Sequence, residues 1–284
     1  MLYSAKHYED LFTLPVTPDD LRTIRAGVAL TRTETIKAGQ MLYVRAFPLW
    51  TTQTESTRAR KAKPSRDAQR KLNERNAELR LEQLANNNFG PDDIFSTFTY
   101  ADGEQPDDYG AALNNMRSYL GKLRNLRRKL DLPELKYIYV IETTTSEKYG
   151  TRYHHHVLLN GGGVSRDDIE NLWPHGIANT KRYQYQENQY AGIAHYMLKT
   201  KTTNTEKSHR RWNCSKNLAK PVPTISDKKI SVRRMERIAM QVEADSKEIF
   251  EKAYPGYVLT DQPAVYRSDY CAGVYIRARL RRLD

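Results

Sequence analysis

Three consecutive histidines, His154-His155-His156, run directly into Val157-Leu158-Leu159. In a β-strand alternate side chains share a face, so His154 and His156 point one way and His155 the other. Two neutral imidazoles placed like this can chelate a divalent metal ion. Glu142 closes the run YIYVIE at 137–142, and in an antiparallel hairpin it can lie beside the histidines as a third ligand. Two histidines and a carboxylate suit Mn2+ or Mg2+ acting on a phosphate. A strand whose imidazoles only pack or hydrogen-bond would show the same His-x-His pattern. A second chemical feature lies in IAHYMLK at 193–199. Read as a helix, Tyr190, Ile193, Ala194 and Met197 form its apolar stripe, and Tyr196 falls roughly 110° away from it. Tyr196 and Lys199 are three apart and so are neighbours on the helix surface. A phenol able to attack phosphorus, beside an ammonium that offsets negative charge, suits phosphodiester transesterification. A solvated helix face would give the same Tyr-x-x-Lys spacing.

The elements around these residues follow from periodicity. IFSTFTY at 94–100 is β-branched and aromatic, a short strand. Residues 107–130 predict a helix with Leu113, Met116, Leu120 and Leu123 as its buried stripe and its charges toward solvent. Residues 137–142 and 152–160 are two strands joined closely enough to pair antiparallel. Ser165 and Asp168 form a capping box for a short helix. A strand at 176–186 and the helix at 187–201 follow. The order β-α-β-β-α-β-α predicts an α+β fold, an antiparallel sheet with helices on one face. Outside this stretch, residues 24–48 alternate around Lys37-Ala38-Gly39 as a hairpin. A basic helix spans 65–86, a long helix 226–253, and a last strand 274–280. We therefore expect an N-terminal extension over 1–90, a core over 91–205 and a basic C-terminal extension over 206–284, packed on that core.

The chain of 284 residues carries 46 Lys and Arg against 34 Asp and Glu, a formal charge of +12, which points to nucleic acid as a partner. The helix at 107–130 carries Arg117, Lys122, Arg124, Arg127, Arg128 and Lys129 without an acid beyond Asp107 and Asp108. Arg210, Arg211, Lys216 and Lys220 lie just after the Tyr196 helix as candidate phosphate contacts. Trp212 is placed either to stack on a base or, with Leu218, to pack a lobe. Two cysteines are too few for a disulfide framework or a cysteine zinc site. No apolar run approaches the roughly 18 residues of a membrane span, and MLYSAKHYEDLF lacks a signal pattern, so a cytoplasmic protein is expected. No Gly-x-x-x-x-Gly-Lys-Ser/Thr motif appears, so unwinding is expected from a host helicase.

Taken in order, the Glu142 strand, the His154-x-His156 strand and the Tyr196-x-x-Lys199 helix resemble the HUH endonucleases, and within them the rolling-circle replication initiators with one catalytic tyrosine. IFSTFTY at 94–100 resembles that family's first motif. The segment 94–201 carries the likeness, and its flanks, SRDAQRKLNERNAELRLEQLANNNF before it and RRWNCSKNLAKP and YPGY after it, look similar to replication proteins of bacterial phages, plasmids and integrated elements. The resemblance implies a ferredoxin- or RRM-like core and a metal-dependent endonuclease that nicks single-stranded DNA at a replication origin. It implies His154, His156 and Glu142 as ligands of Mn2+ or Mg2+, Tyr196 as nucleophile and Lys199 as its partner. The product would be a 5′-phosphotyrosine and a 3′-hydroxyl for a host polymerase. Gly192 stands four residues before Tyr196, so a second tyrosine one turn away is not supported. The rivals are a DNA-binding regulator without catalysis and, within the same superfamily, a relaxase or transposase.

Overall fold

Alternation around Lys37-Ala38-Gly39 produces the predicted hairpin, strands β1 (Val28–Ala38) and β2 (Met41–Trp50). Ala38 pairs with Met41 across a two-residue loop, and Gly39 has φ of 58°, a region L side chains rarely adopt. The computed structural model describes residues 16–17, 28–50, 66–146, 150–184, 189–199, 211–268 and 271–283. The predicted basic helix is α1 (Arg66–Asn88). Then follow β3 (Ile94–Thr99), α2 (Tyr109–Lys129), β4 (Tyr137–Ser146), β5 (Gly150–Leu159), α3 (Arg166–Asn171), β6 (Ala178–Arg182) and α4 (Ala191–Lys199). The predicted β-α-β-β-α-β-α order is therefore present. Asp108 caps α2 by accepting from the Ala111 N–H at 2.7 Å, and Arg127, Arg128 and Lys129 sit favourably at the negative end of its dipole. The Ser165–Asp168 capping box starts α3.

The chain divides into two units, one from residues 80–220 and one from 1–79 with 221–284. In the first, β7 (Asn213–Cys214) completes an antiparallel sheet in the order β6-β3-β5-β4-β7. One face carries Phe98, Tyr139, Ile141, Tyr153, Val157 and Leu159 against Met116, Tyr119, Leu120 and Leu123 of α2 and Ile169 of α3. The other carries Phe95, Ile138, Val140 and Leu158 against Leu81, Leu84 and Ala85 of α1 and Tyr190, Ile193, Ala194 and Met197 around α4. The fold is α+β as expected, but helices cover both faces rather than one. The reason is the run of buried apolar side chains on each face of β4 and β5, which needs a cover on both sides. The charges of α2 are not all solvated either. Arg127 is buried, and its guanidinium donates to the Pro133, Asn160 and Gly162 carbonyls, tying down the turns that follow α2 and β5. Burial pushes its pKa down from the ordinary arginine value.

The second unit is built on β1 and β2 together with β8 (Pro223–Ser226), α5 (Val232–Met240), α6 (Val242–Ala253), β9 (Tyr257–Leu259), β10 (Ala264–Ser268) and β11 (Cys271–Arg282). Its sheet runs β10-β11-β2-β1-β8, with β9 also on β11. Leu42, Val44, Ala46, Val274, Ile276, Ala278 and Leu280 line the face that packs on α5 and α6. The predicted single helix over 226–253 is thus a strand and two helices. Ser231 caps α5, and Gln241, at φ −139° and ψ 67°, breaks the helix. The break lets Met235 and Ile238 on one side and Ile249 and Phe250 on the other reach the same core. Among the described residues no helix is long and apolar enough to cross a membrane.

Candidate active site

Strand register assembles the site on the first unit's sheet. In the β4–β5 ladder Glu142 lies directly across from His154 and Val140 across from His156. In the β3–β5 ladder Thr97 faces His156 and Thr99 faces His154. Directly paired residues project to the same side, so Glu142, His154, His156, Thr97 and Phe95 share one face. β4 continues to Ser146, so Glu142 sits within the strand rather than at its end. His155 points the other way into the α2 core, fully buried, with Nε2 2.8 Å from the Tyr100 hydroxyl. Burial, reinforced by the neighbouring histidines, pushes His155 down to about 3, so its imidazole is neutral.

On the site face, His156 Nε2 and Glu142 Oε2 are 2.7 Å apart across the strand diagonal. The other imidazole nitrogen, Nδ1, is 3.2 Å from Thr97 Oγ1. The threonine hydroxyl can donate or accept, so it can hold the ring in either tautomer. With Nε2–H donating to Glu142, Nδ1 accepts from Thr97; with the hydrogen on Nδ1, Nε2 presents a lone pair toward the carboxylate. The second state is the one a histidine ligand adopts, its outer nitrogen steadied by a hydrogen-bond partner. His154 is half-buried, and burial lowers its pKa against the opposing pull of Glu142, with His156 and Arg152 lowering it further. It is therefore held as the neutral imidazole that metal binding requires. Two imidazoles and a carboxylate on one face, two of them already meeting, fit a divalent cation in donor type. Among the described residues no three His, Cys, Asp or Glu side chains form a group at ligand spacing, so His154 is not drawn to the point where Glu142 and His156 meet.

α4 brings the phenol. Tyr190, Ala194, Met197 and Ile193 are buried, whereas Tyr196 is 51% exposed, as its position off the apolar stripe predicts. The Tyr196 ring stands edge-on to His156 at 5.1 Å between centroids and edge-on to Phe95 at 6.0 Å. Phe95 in turn lies parallel to the His156 ring at 6.1 Å. A half-exposed tyrosine thus stands over the imidazole that touches Glu142. Residues 93–201 match the family model of the replication-associated protein ORF2. The matched stretch takes in β3 through α4 and with them Phe95, Thr97, Glu142, His154, His156 and Tyr196. This similarity supports a role in replication initiation, with DNA at an origin as the partner. Neither the curated proteins nor the solved structures gave a match.

The remaining predicted residues are more scattered. Lys199 is the last residue of α4, and its side chain lies outside the described residues, as does Arg210 altogether. Arg211, Lys216 and Lys220 are exposed around β7, which pairs with Tyr139 and Ile138 of β4. Leu218 is buried, and half-buried Trp212 packs on the same cluster, so the indole takes part in packing the α4 side of the sheet. Thr97 and Phe95 did not stand out as site residues in the sequence. Their alternation within IFSTFT shows that they share a face, but only the pairing of β3 with β5 shows that this face is the one with the histidines.

Proposed function

We propose that this protein is a single-tyrosine replication initiator of the HUH type, a metal-dependent endonuclease that nicks single-stranded DNA at an origin and remains joined to the 5′ end. What carries this is Tyr196, half exposed and edge-on to the imidazole that contacts Glu142. A tyrosine kept out of its helix's packing stripe and set above a histidine–carboxylate pair has a chemical use that packing does not supply.

His154, His156 and Glu142 would hold Mn2+ or Mg2+, which when bound supplies Lewis-acid polarisation of a non-bridging phosphate oxygen. Tyr196 Oη forms a bond to phosphorus while the bond from phosphorus to the 3′ oxygen breaks. The phenol proton leaves to solvent, to which Tyr196 is open, and the departing 3′ oxygen takes one up as a free hydroxyl. One phosphodiester is exchanged for another, so the reverse reaction rejoins the strand. Lys199, three residues along α4, is the cation expected to offset charge developing at the phosphate. Arg211, Lys216 and Lys220 would track the backbone of the DNA. A host polymerase would extend the 3′ end, and a host helicase would unwind ahead of it.

The test uses end-labelled single-stranded oligonucleotides tiling the DNA that flanks the coding sequence, incubated with the protein in Mn2+ or in EDTA. Wild type should give a nick and a detergent-resistant protein–DNA adduct only with the metal, and Tyr196→Phe should give neither. An adduct that survives in Tyr196→Phe would move the nucleophile elsewhere. The hydrogen bond that already joins His156 to Glu142 favours a second reading, a DNA-binding regulator without catalysis. Binding to origin DNA with no nick in Mn2+ would select it.

A further inference from the structure

The edge strand β6 contributes two side chains to the site face. Lys181 pairs with Phe95 and Asn179 with Thr97, so both project toward the side that carries His156. Thr180 and Arg182 project to the opposite side, where Thr180 Oγ1 is 3.0 Å from Ser96 Oγ. Lys181 Nζ lies 6.0 Å from the centre of the Phe95 ring, the same distance at which the Tyr196 ring meets Phe95 from the side. Cation and phenol therefore flank one aromatic ring. Lys181 and Asn179 are both exposed, and among the described residues no carboxylate pairs with Lys181. Arg182, by contrast, lies 3.8 Å from Asp92.

We propose that Lys181 and Asn179 form a subsite for single-stranded DNA, Lys181 holding a phosphate near the one attacked by Tyr196 and Asn179 meeting the edge of a neighbouring base. This rests on the nicking reading given above and adds the direction in which the strand leaves the site, toward β6. A lysine on an edge strand also discourages pairing with other chains. That role needs only a charge on the strand, and Arg182 would serve it equally. A DNA contact needs the charge on the Phe95 side. Asparagine is suited to the task because its amide can donate and accept toward a base edge.

The test compares Lys181→Gln, Lys181→Arg and Arg182→Gln in EDTA, each in a Tyr196→Phe background, by fluorescence anisotropy with a labelled oligothymidylate across a salt series. Each phosphate contact to a single strand contributes about 0.7 to the slope of log affinity against log salt. Lys181→Gln should reduce the slope by about that amount and weaken binding several-fold at low salt. Lys181→Arg should restore both, and Arg182→Gln should match its parent. Lys181→Gln isotherms that superimpose on the parent, or an equal loss in Arg182→Gln, would overturn the subsite. Because no cleavage occurs in this assay, its outcome is separate from that of the nicking test. Lys181-dependent binding in a protein that never forms an adduct would overturn the reaction and keep the subsite. An adduct with no dependence on Lys181 would do the reverse.

Discussion

Replacing Thr97 with Val keeps the β-branched shape and removes the hydroxyl that lies 3.2 Å from His156 Nδ1. In wild type that hydroxyl can accept from Nδ1–H and leave Nε2 free as a ligand; in the variant Nδ1–H has no such partner. A net hydrogen bond of this kind is worth about 0.5–1.5 kcal/mol. The present one is long for its type, and the site is only partly buried, which argues for the lower half of that range. Partners that orient a metal-binding histidine typically change metal affinity by about 10–100-fold when lost. The length of the bond again favours the low end, so we expect about a tenfold rise in the Mn2+ concentration for half-maximal nicking. Single-turnover nicking of a labelled oligonucleotide across a Mn2+ titration measures it, with thermal melts showing that the fold is retained. At saturating Mn2+ the nicking rate should return to near wild type, since Tyr196 and its contact ring Phe95 are untouched. An unchanged Mn2+ midpoint at an unchanged melting temperature would refute the argument that Thr97 orients His156. A rate that stays low at saturating metal would show instead that the hydroxyl acts on the substrate.

Alanine at His154 and at His156 should each abolish Mn2+-dependent nicking while leaving salt-sensitive binding of single-stranded DNA largely intact; cleavage unchanged in both variants would sink the metal assignment. His155 sets a pH dependence of stability. Its folded pKa is about 3 against 6.5 for the free side chain, so between these values the unfolded chain binds the extra proton. Stability is complete above about pH 6.5 and falls as the pH drops toward 3, by up to roughly 1 kcal/mol per pH unit from this group. Urea melts of wild type and His155→Phe at several pH values should therefore diverge in slope, and parallel profiles would contradict the burial argument. Gly176→Ala should destabilise sharply. Its φ is 152°, and an added Cβ would meet the Ala101 nitrogen and the Thr99 carbonyl oxygen well inside contact distance, both of them backbone atoms that cannot swing aside. A loss well above 1 kcal/mol in a chemical melt is expected, and a near-neutral variant would show that the 173–177 segment yields easily.

Much of the stretch from Ile94 to Lys199 was readable from the residues alone, because its elements carry strong local signals. The stripe Tyr190, Ile193, Ala194 and Met197 has the helical period, Ser165 and Asp168 cap one another, and His154 and His156 share a face wherever a strand forms. Pairing is a non-local property and was readable only in part. Glu142 comes opposite His154 through a close hairpin, which the sequence permits one to anticipate. Thr97 reaches His156 through a strand that lies an α-helix and a hairpin earlier in the chain, and no local pattern reports that register. Arg127 looked like one charge among several on α2, since burial of a guanidinium depends on where three distant carbonyls converge. The break at Gln241 carries no glycine or proline to announce it; the packing of Met235, Ile238, Ile249 and Phe250 on one sheet decides it.

The strand β2 lies between β1 and β11, with Leu42 opposite Leu280 and Val44 opposite Ala278. Its first partner is therefore made immediately, and its second only near the end of synthesis. At ribosomal rates of about 5–20 residues per second, the hairpin waits on the order of ten seconds or more with one edge open. Residues 80–220, which carry the chemistry, are complete before β8 to β11 exist, and their strands pair over shorter stretches of chain. A nascent chain halted there would display β2 as a template for pairing with its neighbours. Expression of the nicking unit by itself should accordingly omit the hairpin as well as the C-terminal strands, starting after Leu79 and stopping before Pro221.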